Sequence, residues 1–234
     1  MIDAPDEFES IREFYDTEYY ADHRVVRLPW HTRHVARRLG DLRGKQVLDV
    51  ACGAGEWLEY LHRAGAEVAG IDLSRKAIEV CLQRMPSGEF ICGPAETLPF
   101  AAGRFDLVTC MGSLEHFIDK PRALIEMRRV AKDSARFLIL VPNAGFLTRR
   151  LGFYRGTQQT KAREDVFDLE IWKGLFEGAG LHVVARWRDL HTLDWHWITR
   201  AKVWKWPLRM TQALALSMWP IEWQYQVYHL CRTA

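Results

Sequence analysis

The sequence predicts an α/β protein built on a parallel sheet with helices on both faces. Two observations point there. Between Lys45 and Val141, short β-branched apolar runs alternate with segments whose apolar residues recur at helical spacing, the signature of βαβ units. Glycines 53 and 55 close the first run, at the place where such sheets bind ligands outside their strands' carboxyl ends.

Taken in order, Gln46–Val50 reads as the first strand, and Glu56 to Ala64 sets Trp57, Tyr60, Leu61 and Ala64 on one helical face. Val68–Ile71 is the second strand. Ser74 caps a helix carrying Ala77, Ile78, Cys81 and Leu82, and Glu89–Cys92 is the third strand. Phe105–Cys110 is the fourth, followed by a helix from Pro121 to Ala131 and a fifth strand, Arg136–Val141. Beyond the turn Pro142–Gly145 lies a basic stretch, 146–163, with Arg149, Arg150, Arg155, Lys161 and Arg163. A helix from about Asp168 to Glu177 and a sixth strand, Leu181–Trp187, come next. Trp223, Tyr225 and Val227 alternate with Gln224 and Gln226, which marks a seventh strand. Segment 192–221 is therefore read as a helical insertion between the last two strands, with Pro207 separating two helices.

Composition narrows the function classes. A formal charge of +2 gives no case for bulk nucleic-acid binding. Five cysteines without CxxC or CxH spacing sit mostly in apolar runs and read as reduced, buried small hydrophobes, so no metal site is expected on them. The acidic N-terminus lacks the basic and apolar regions of a signal peptide. The longest uncharged run near the C-terminal tryptophans, Met210 to Ile221, falls short of the roughly 18 residues of a spanning helix. A cytoplasmic protein is expected. Tryptophan is the outlier: of ten, Trp195, Trp197, Trp204, Trp206, Trp219 and Trp223 crowd into one stretch.

The decisive segment is Asp49-Val50-Ala51-Cys52-Gly53-Ala54-Gly55-Glu56-Trp57-Leu58. A glycine-rich strand-to-helix turn lets backbone approach a ligand closely and could suit a dinucleotide. Two details argue otherwise. Leu58 stands where that fingerprint needs a third small residue, and Asp49 puts a carboxylate at the strand end, where it repels a pyrophosphate and attracts a cation. The implied ligand has adenosine-like parts and a positive group in place of phosphates. Asp72 ends the second strand, where an acid bonds ribose hydroxyls.

These residues resemble the class I S-adenosylmethionine-dependent methyltransferases, and within them the group that includes the ubiquinone-pathway O-methyltransferases and many small-molecule methyltransferases. The resemblance runs over about 45–190. It rests on Val47 to Gly55, Gly70-Ile71-Asp72-Leu73-Ser74, Gly93-Pro94-Ala95-Glu96-Thr97-Leu98-Pro99-Phe100, and Phe105 to His116. The implied fold is a Rossmann-like seven-stranded sheet, and the implied cofactor is S-adenosylmethionine, with S-adenosylhomocysteine as product. The resemblance implies that Asp49 and the backbone of Gly53 and Gly55 hold the methionine end and that Asp72 binds the ribose. Leu73 and Met111 would flank the adenine or ribose, and Ala95 would offer its N–H to the ring. Two residues depart from the pattern. Ala51 stands where many relatives have Gly, and Pro94 where many carry an Asp for the adenine amino group, so that contact is lost or moves to Glu96.

Methyl transfer from a sulfonium needs an aligned nucleophile, a dry site and, for a hydroxyl, a proton acceptor. His116 lies just past the fourth strand and reads as general base or as the residue that positions one, with Glu115 orienting it; equally, both could simply start a helix. His191, with Asp194 and His196 nearby, forms a second candidate group after the sixth strand. Acids around the fourth-strand motif can bind a metal in relatives, but Gly112 occupies one of those positions and no metal is expected. Cys110-Met111-Gly112-Ser113 is not the Asn/Asp-Pro-Pro-aromatic motif of base and amide nitrogen methylation, which favours an oxygen acceptor.

The expected organisation is a single domain: an N-terminal helical lid (1–44, including the aromatic run Phe14–Tyr20), a cofactor-binding core (45–141), a substrate-side half (142–191), the Trp-rich insertion (192–221) and a final strand (222–234). Arg200, Lys202, Lys205 and Arg209 face one acid, Asp194, within the insertion. Interleaved Trp and basic residues suit a lid over an apolar pocket, a peripheral contact with the inner membrane face, or a homodimer interface. The leading expectation is methylation of a small, partly apolar hydroxyl acceptor: a natural product, a quinone-type compound or a sugar. Alternatives are a lipid-linked or membrane-presented glycan, and a non-catalytic cofactor-binding scaffold. An RNA acceptor is weaker, since the sequence shows no basic domain or RNA-binding module.

Overall fold

The computed structural model describes residues 4–20, 27–150, 152, 164–199 and 202–233. Arg155, Lys161, Arg163 and Arg200, singled out from the sequence, lie outside them. Seven strands form one sheet: β1 (Gln46–Val50), β2 (Glu67–Asp72), β3 (Glu89–Cys92), β4 (Phe105–Met111), β5 (Ala131–Pro142), β6 (Leu181–Arg188) and β7 (Gln226–Thr233), in the order β3-β2-β1-β4-β5-β7-β6. Helices α1 (Ala4–Phe14), α2 (Trp30–Arg38), α3 (Glu56–Arg63), α4 (Arg75–Arg84), α5 (Lys120–Val130), α6 (Leu147–Arg150), α7 (Leu169–Gly178), α8 (Trp195–Thr199) and α9 (Trp206–Met218) complete the described chain.

The sheet is mixed where the sequence suggested a parallel one. β1 to β5 run parallel, but β7 lies antiparallel between β5 and β6, pairing Leu140 with Tyr228 and Arg186 with His229. The reason is connectivity. No crossover helix returns the chain to the starting edge after β6, so β7 comes back beside it in the opposite direction.

Side chains alternate across the central strands, and both of their faces are buried. Leu48 and Val50 join Val108, Cys110, Phe137 and Ile139 against Met127, Trp172 and Phe176 on one side. Val47, Leu107 and Leu138 meet Leu39, Trp57, Leu58, Leu61 and Ile78 on the other. Strands buried on both faces read as near-continuous apolar runs, which is why they were visible in the sequence. Ser74 caps α4 as expected, its Oγ accepting from Ala77 N, and Asp168 caps α7, its Oδ1 accepting from the amides of Glu170 and Ile171.

Between β6 and β7 the chain forms a 3-10 turn (His191–Leu193), α8, a second 3-10 turn (Val203–Lys205), α9 and a third (Ile221–Trp223). Pro207 sits in the first turn of α9, where its missing N–H costs no hydrogen bond. The last strand starts at Gln226 rather than Trp223, because Ile221–Trp223 closes as a 3-10 turn.

Candidate active site

β1 and β4 are neighbours whose crossovers leave in opposite directions, so a crevice opens beyond their carboxyl ends. The turn there is built on left-handed backbone. Ala51 has φ +61°, Gly53 +55° and Gly55 +81°. A β-carbon on Gly55 would sit 2.8 Å from Cys81 Sγ and from Met85 Cε, and one on Gly53 would sit 2.7 Å from Tyr20 Oη. Left-handed backbone favours glycine at both positions, and a β-carbon there would also displace these side-chain ends.

A cavity of about 310 Å³ occupies this crevice, within the range of small-molecule sites. Ala51, Asp72, Leu73, Ala95, Glu96, Glu115 and His116, all singled out from the sequence, stand in its wall. Asp49, Gly53, Gly55, Met111 and His191 do not. The wall also includes residues the sequence reading did not assign: Glu164, Tyr225 and Gln226, brought in from distant segments.

Asp72 is fixed by two backbone donors. Gly53 N–H reaches Oδ2 at 2.8 Å and Ser74 N–H reaches Oδ1 at 2.9 Å, while burial pushes its pKa up against those two bonds. Each oxygen keeps a second lone pair for a ligand hydroxyl. Asp49, 2 % exposed, is pushed up to about 8 by burial, with the Thr109 hydroxyl bond opposing and Asp72 adding to the rise. Glu96 Oε1 accepts from the amides of Ile118 and Asp119, so that oxygen braces the start of α5 and only the other is left for an adenine amino group.

Glu115 is the most telling residue. It is 3 % exposed and stands in the cavity wall, and its Oε2 has no hydrogen-bond partner among the described residues. Burial pushes its pKa up to about 7, aided by the nearby Glu164 and opposed by Lys120. Native proteins rarely leave such an atom unsatisfied without a working reason. Glu164 is met by Tyr225 Oη at 3.4 Å, and Lys120 donates to Asp165 Oδ2 at 2.7 Å, anchoring that segment beside Glu115. Asp165 N–H also bonds the Glu115 carbonyl at 3.0 Å.

The N-terminal segment covers the β2 side. α1 runs into a π-helical turn, Tyr15–Tyr19. Asp16 Oδ1 accepts from Ser74 Oγ at 2.5 Å, and Arg12 Nε donates to the Leu73 carbonyl at 3.2 Å. Burial, with Asp72 second, pushes the Tyr15 phenol up to about 12 and also raises Tyr20. Both remain neutral hydrogen-bonding groups.

His191 is held elsewhere. Its Nδ1 lies 2.6 Å from Asp189 Oδ2, and His31 Nδ1 lies 3.3 Å from Asp189 Oδ1. The carboxylate clamps the start of the insertion to α2, and His191 is not in the cavity wall.

Four carboxylates, Asp72, Glu96, Glu115 and Glu164, wall the cavity, and no Lys or Arg does so among the described residues. Such a site is hostile to a pyrophosphate and suits a cation. The glycine cradle, the doubly anchored Asp72 and this charge balance fit S-adenosylmethionine.

Comparison with known proteins agrees. The family model of a methyltransferase domain matches residues 48–139. The ubiquinone biosynthesis O-methyltransferase of Chromobacterium violaceum is 32 % identical over 163 residues, covering 62 % of this chain and 67 % of that protein. The demethylmenaquinone methyltransferase of Thermotoga maritima is 36 % identical over 134 residues, covering 55 % and 58 %. The chain spans roughly half to two thirds of the length of the curated relatives it matches. In fold, an S-adenosylmethionine-dependent methyltransferase from Aquifex aeolicus superimposes with a TM-score of 0.61 at 15 % identity, covering 99 % of this chain and 100 % of that one. The chain belongs to the class I S-adenosylmethionine-dependent methyltransferase family.

Proposed function

We propose that the protein transfers a methyl group from S-adenosylmethionine to a hydroxyl of a small, partly apolar acceptor. The observation that carries this reading is Glu115, a buried carboxyl with one unpartnered oxygen in the wall of a cavity whose other side holds Asp72. When bound, S-adenosylmethionine supplies an electrophilic methyl carbon on a sulfonium.

The chain's own residues do the rest. Asp72 takes the ribose hydroxyls, the 51–55 turn and Asp49 take the methionine end, and Ala95 offers its N–H to the adenine. Glu115 accepts the proton of the acceptor hydroxyl at Oε2, a role the sequence reading gave first to His116. Burial places its pKa near the operating pH, where a general base is most effective. His116 stands in the same wall and orients the acceptor. Phe14, Tyr15, Phe117, Ile118 and Tyr225 provide the apolar surround that excludes water.

The names of the relatives favour a quinone-type acceptor among small hydroxyl compounds. The test is incubation with S-adenosylmethionine and a panel of catechols, hydroquinones, natural-product phenols and sugars, read by mass spectrometry for methylated product. Tight S-adenosylhomocysteine binding with no turnover on any acceptor would leave the scaffold reading in its place.

A further inference from the structure

Surface helices ordinarily turn their apolar stripe inward and their charges outward. α9 does not bury such a stripe. Ala213 is its one buried residue, whereas Leu208, Met210, Leu214 and Met218 stand in solvent. Exposure reaches 70 % at Leu208 and 76 % at Met218, and Trp204, on the turn before the helix, is 72 % exposed. Eight of the fourteen large hydrophobic side chains exposed among the described residues fall between Trp195 and Trp223. A concentration of this kind marks an interaction surface.

Charge identifies the occupant. Lys202, Lys205 and Arg209 lie within this surface, and Asp194 and Glu222 are the acids of the segment, one at each end. The cations are interleaved with the rings: Lys205 Nζ lies 4.9 Å from the Trp204 ring and Arg209 Cζ 4.5 Å from the Trp197 ring. Indole rings beside cations, next to exposed Leu and Met, match the layering of a bilayer surface, with anionic headgroups outside and acyl chains within. No helix among the described residues is long and apolar enough to cross a membrane, so the segment lies on the surface.

We propose that the α8–α9 insertion docks the protein on an anionic lipid bilayer, with Trp204, Leu208 and Met218 entering the interface and Lys202 and Lys205 meeting the headgroups. The insertion leads through Gln224 directly to Tyr225 and Gln226 in the cavity wall. If the methylation reading holds, docking sets the acceptor mouth beside the lipid. Docking itself stands apart from that reading.

The test is co-sedimentation with vesicles of phosphatidylglycerol in phosphatidylcholine, against vesicles of phosphatidylcholine alone. The native protein should pellet with the anionic vesicles and be released by high salt. Trp204→Ser/Leu208→Ser/Met218→Ser should stay in solution. Lys202→Glu/Lys205→Glu should bind at least roughly 25-fold more weakly, at about fivefold per basic residue lost. Circular dichroism and S-adenosylhomocysteine calorimetry check that both variants fold and keep the cofactor site, so loss of docking is separable from loss of activity. Failure of the native protein to bind anionic vesicles overturns the proposal, as does unchanged binding by both variants. A stable dimer that the apolar variant dissolves, with no vesicle capture, also overturns it and assigns the face to a second copy.

Discussion

Thr109 donates its hydroxyl proton to Asp49 Oδ1 across 2.6 Å, and the two residues are register partners on the adjacent parallel strands β4 and β1. Trp57 Nε1 donates in turn to Thr109 Oγ1 at 3.1 Å. A three-residue chain thus holds the Asp49 carboxyl near the end of β1, just before the glycine turn. Thr109→Val keeps the shape but strands both the carboxyl and the indole N–H. Each unpaired buried group costs about 1–3 kcal/mol, so stability should drop by roughly 2–6 kcal/mol in urea denaturation. Asp49→Asn should weaken S-adenosylmethionine binding by at least about 30-fold in calorimetry. Undiminished binding would remove Asp49 from the site.

Glu115 connects activity to stability. Glu115→Gln should lower turnover by about 10²- to 10⁴-fold, with little change in S-adenosylhomocysteine affinity. Wild-type kcat should fall as pH drops through about 7, because the base must be ionised. The stability effect has the opposite sense. The carboxyl has a folded pKa of about 7 against an ordinary 4.5, so the unfolded chain loses its proton first and stability declines as pH rises between those values. Glu115→Gln should therefore exceed the wild type above pH 7 by up to about 3 kcal/mol and lose that advantage near pH 4. Urea denaturation at the two pH values decides it.

Ala51 holds φ +61° without being glycine. Left-handed backbone costs an L-residue about 1–2 kcal/mol, and glycine returns some 0.5–1 kcal/mol of that as entropy. Ala51→Gly should stabilise the protein by about 0.5–1 kcal/mol, seen as a higher melting temperature. A melting temperature equal to or below the wild type would show that the turn carries no strain.

Asp189 ties α2 to the start of the insertion. Burial would raise its pKa, but the ring contacts of His191 and His31 hold it down to about 2. A depressed carboxylate adds stability above its ordinary value near 4 and loses it as pH falls toward 2. Asp189→Asn should cost about 2 kcal/mol at neutral pH, and the gap should close in acid. A constant gap across that window would show that the histidines do not set the titration.

Much of this architecture was legible in residues read singly. Gln46–Val50 and Phe105–Cys110 are apolar runs closed on both faces, Ser74 caps a helix, and Gly53 and Gly55 announce a turn of permissive backbone. Asp72 and Glu115 sat where the strand ends put them. Less was visible where distant segments meet. Nothing local in Thr109 shows that it faces Asp49, since one hydroxyl in an apolar strand has no sequence signature. Tyr225 and Gln226 reach the cavity wall because β7 runs back between β5 and β6, and Glu164 because Asp165 bonds Lys120 and the Glu115 carbonyl.

By itself, then, the sequence determined the α/β layering, the glycine turn after β1 and the acids at the strand ends, because local periodicity, capping and backbone freedom follow from residues a few positions apart. The tertiary structure decided the partners. It set Thr109 on Asp49, left Glu115 Oε2 unsatisfied, drew His191 onto Asp189 and turned the apolar side of α9 outward. Each of these depends on which surfaces the sheet order brings into contact, and burial and pKa follow from that contact rather than from the order of residues along the chain.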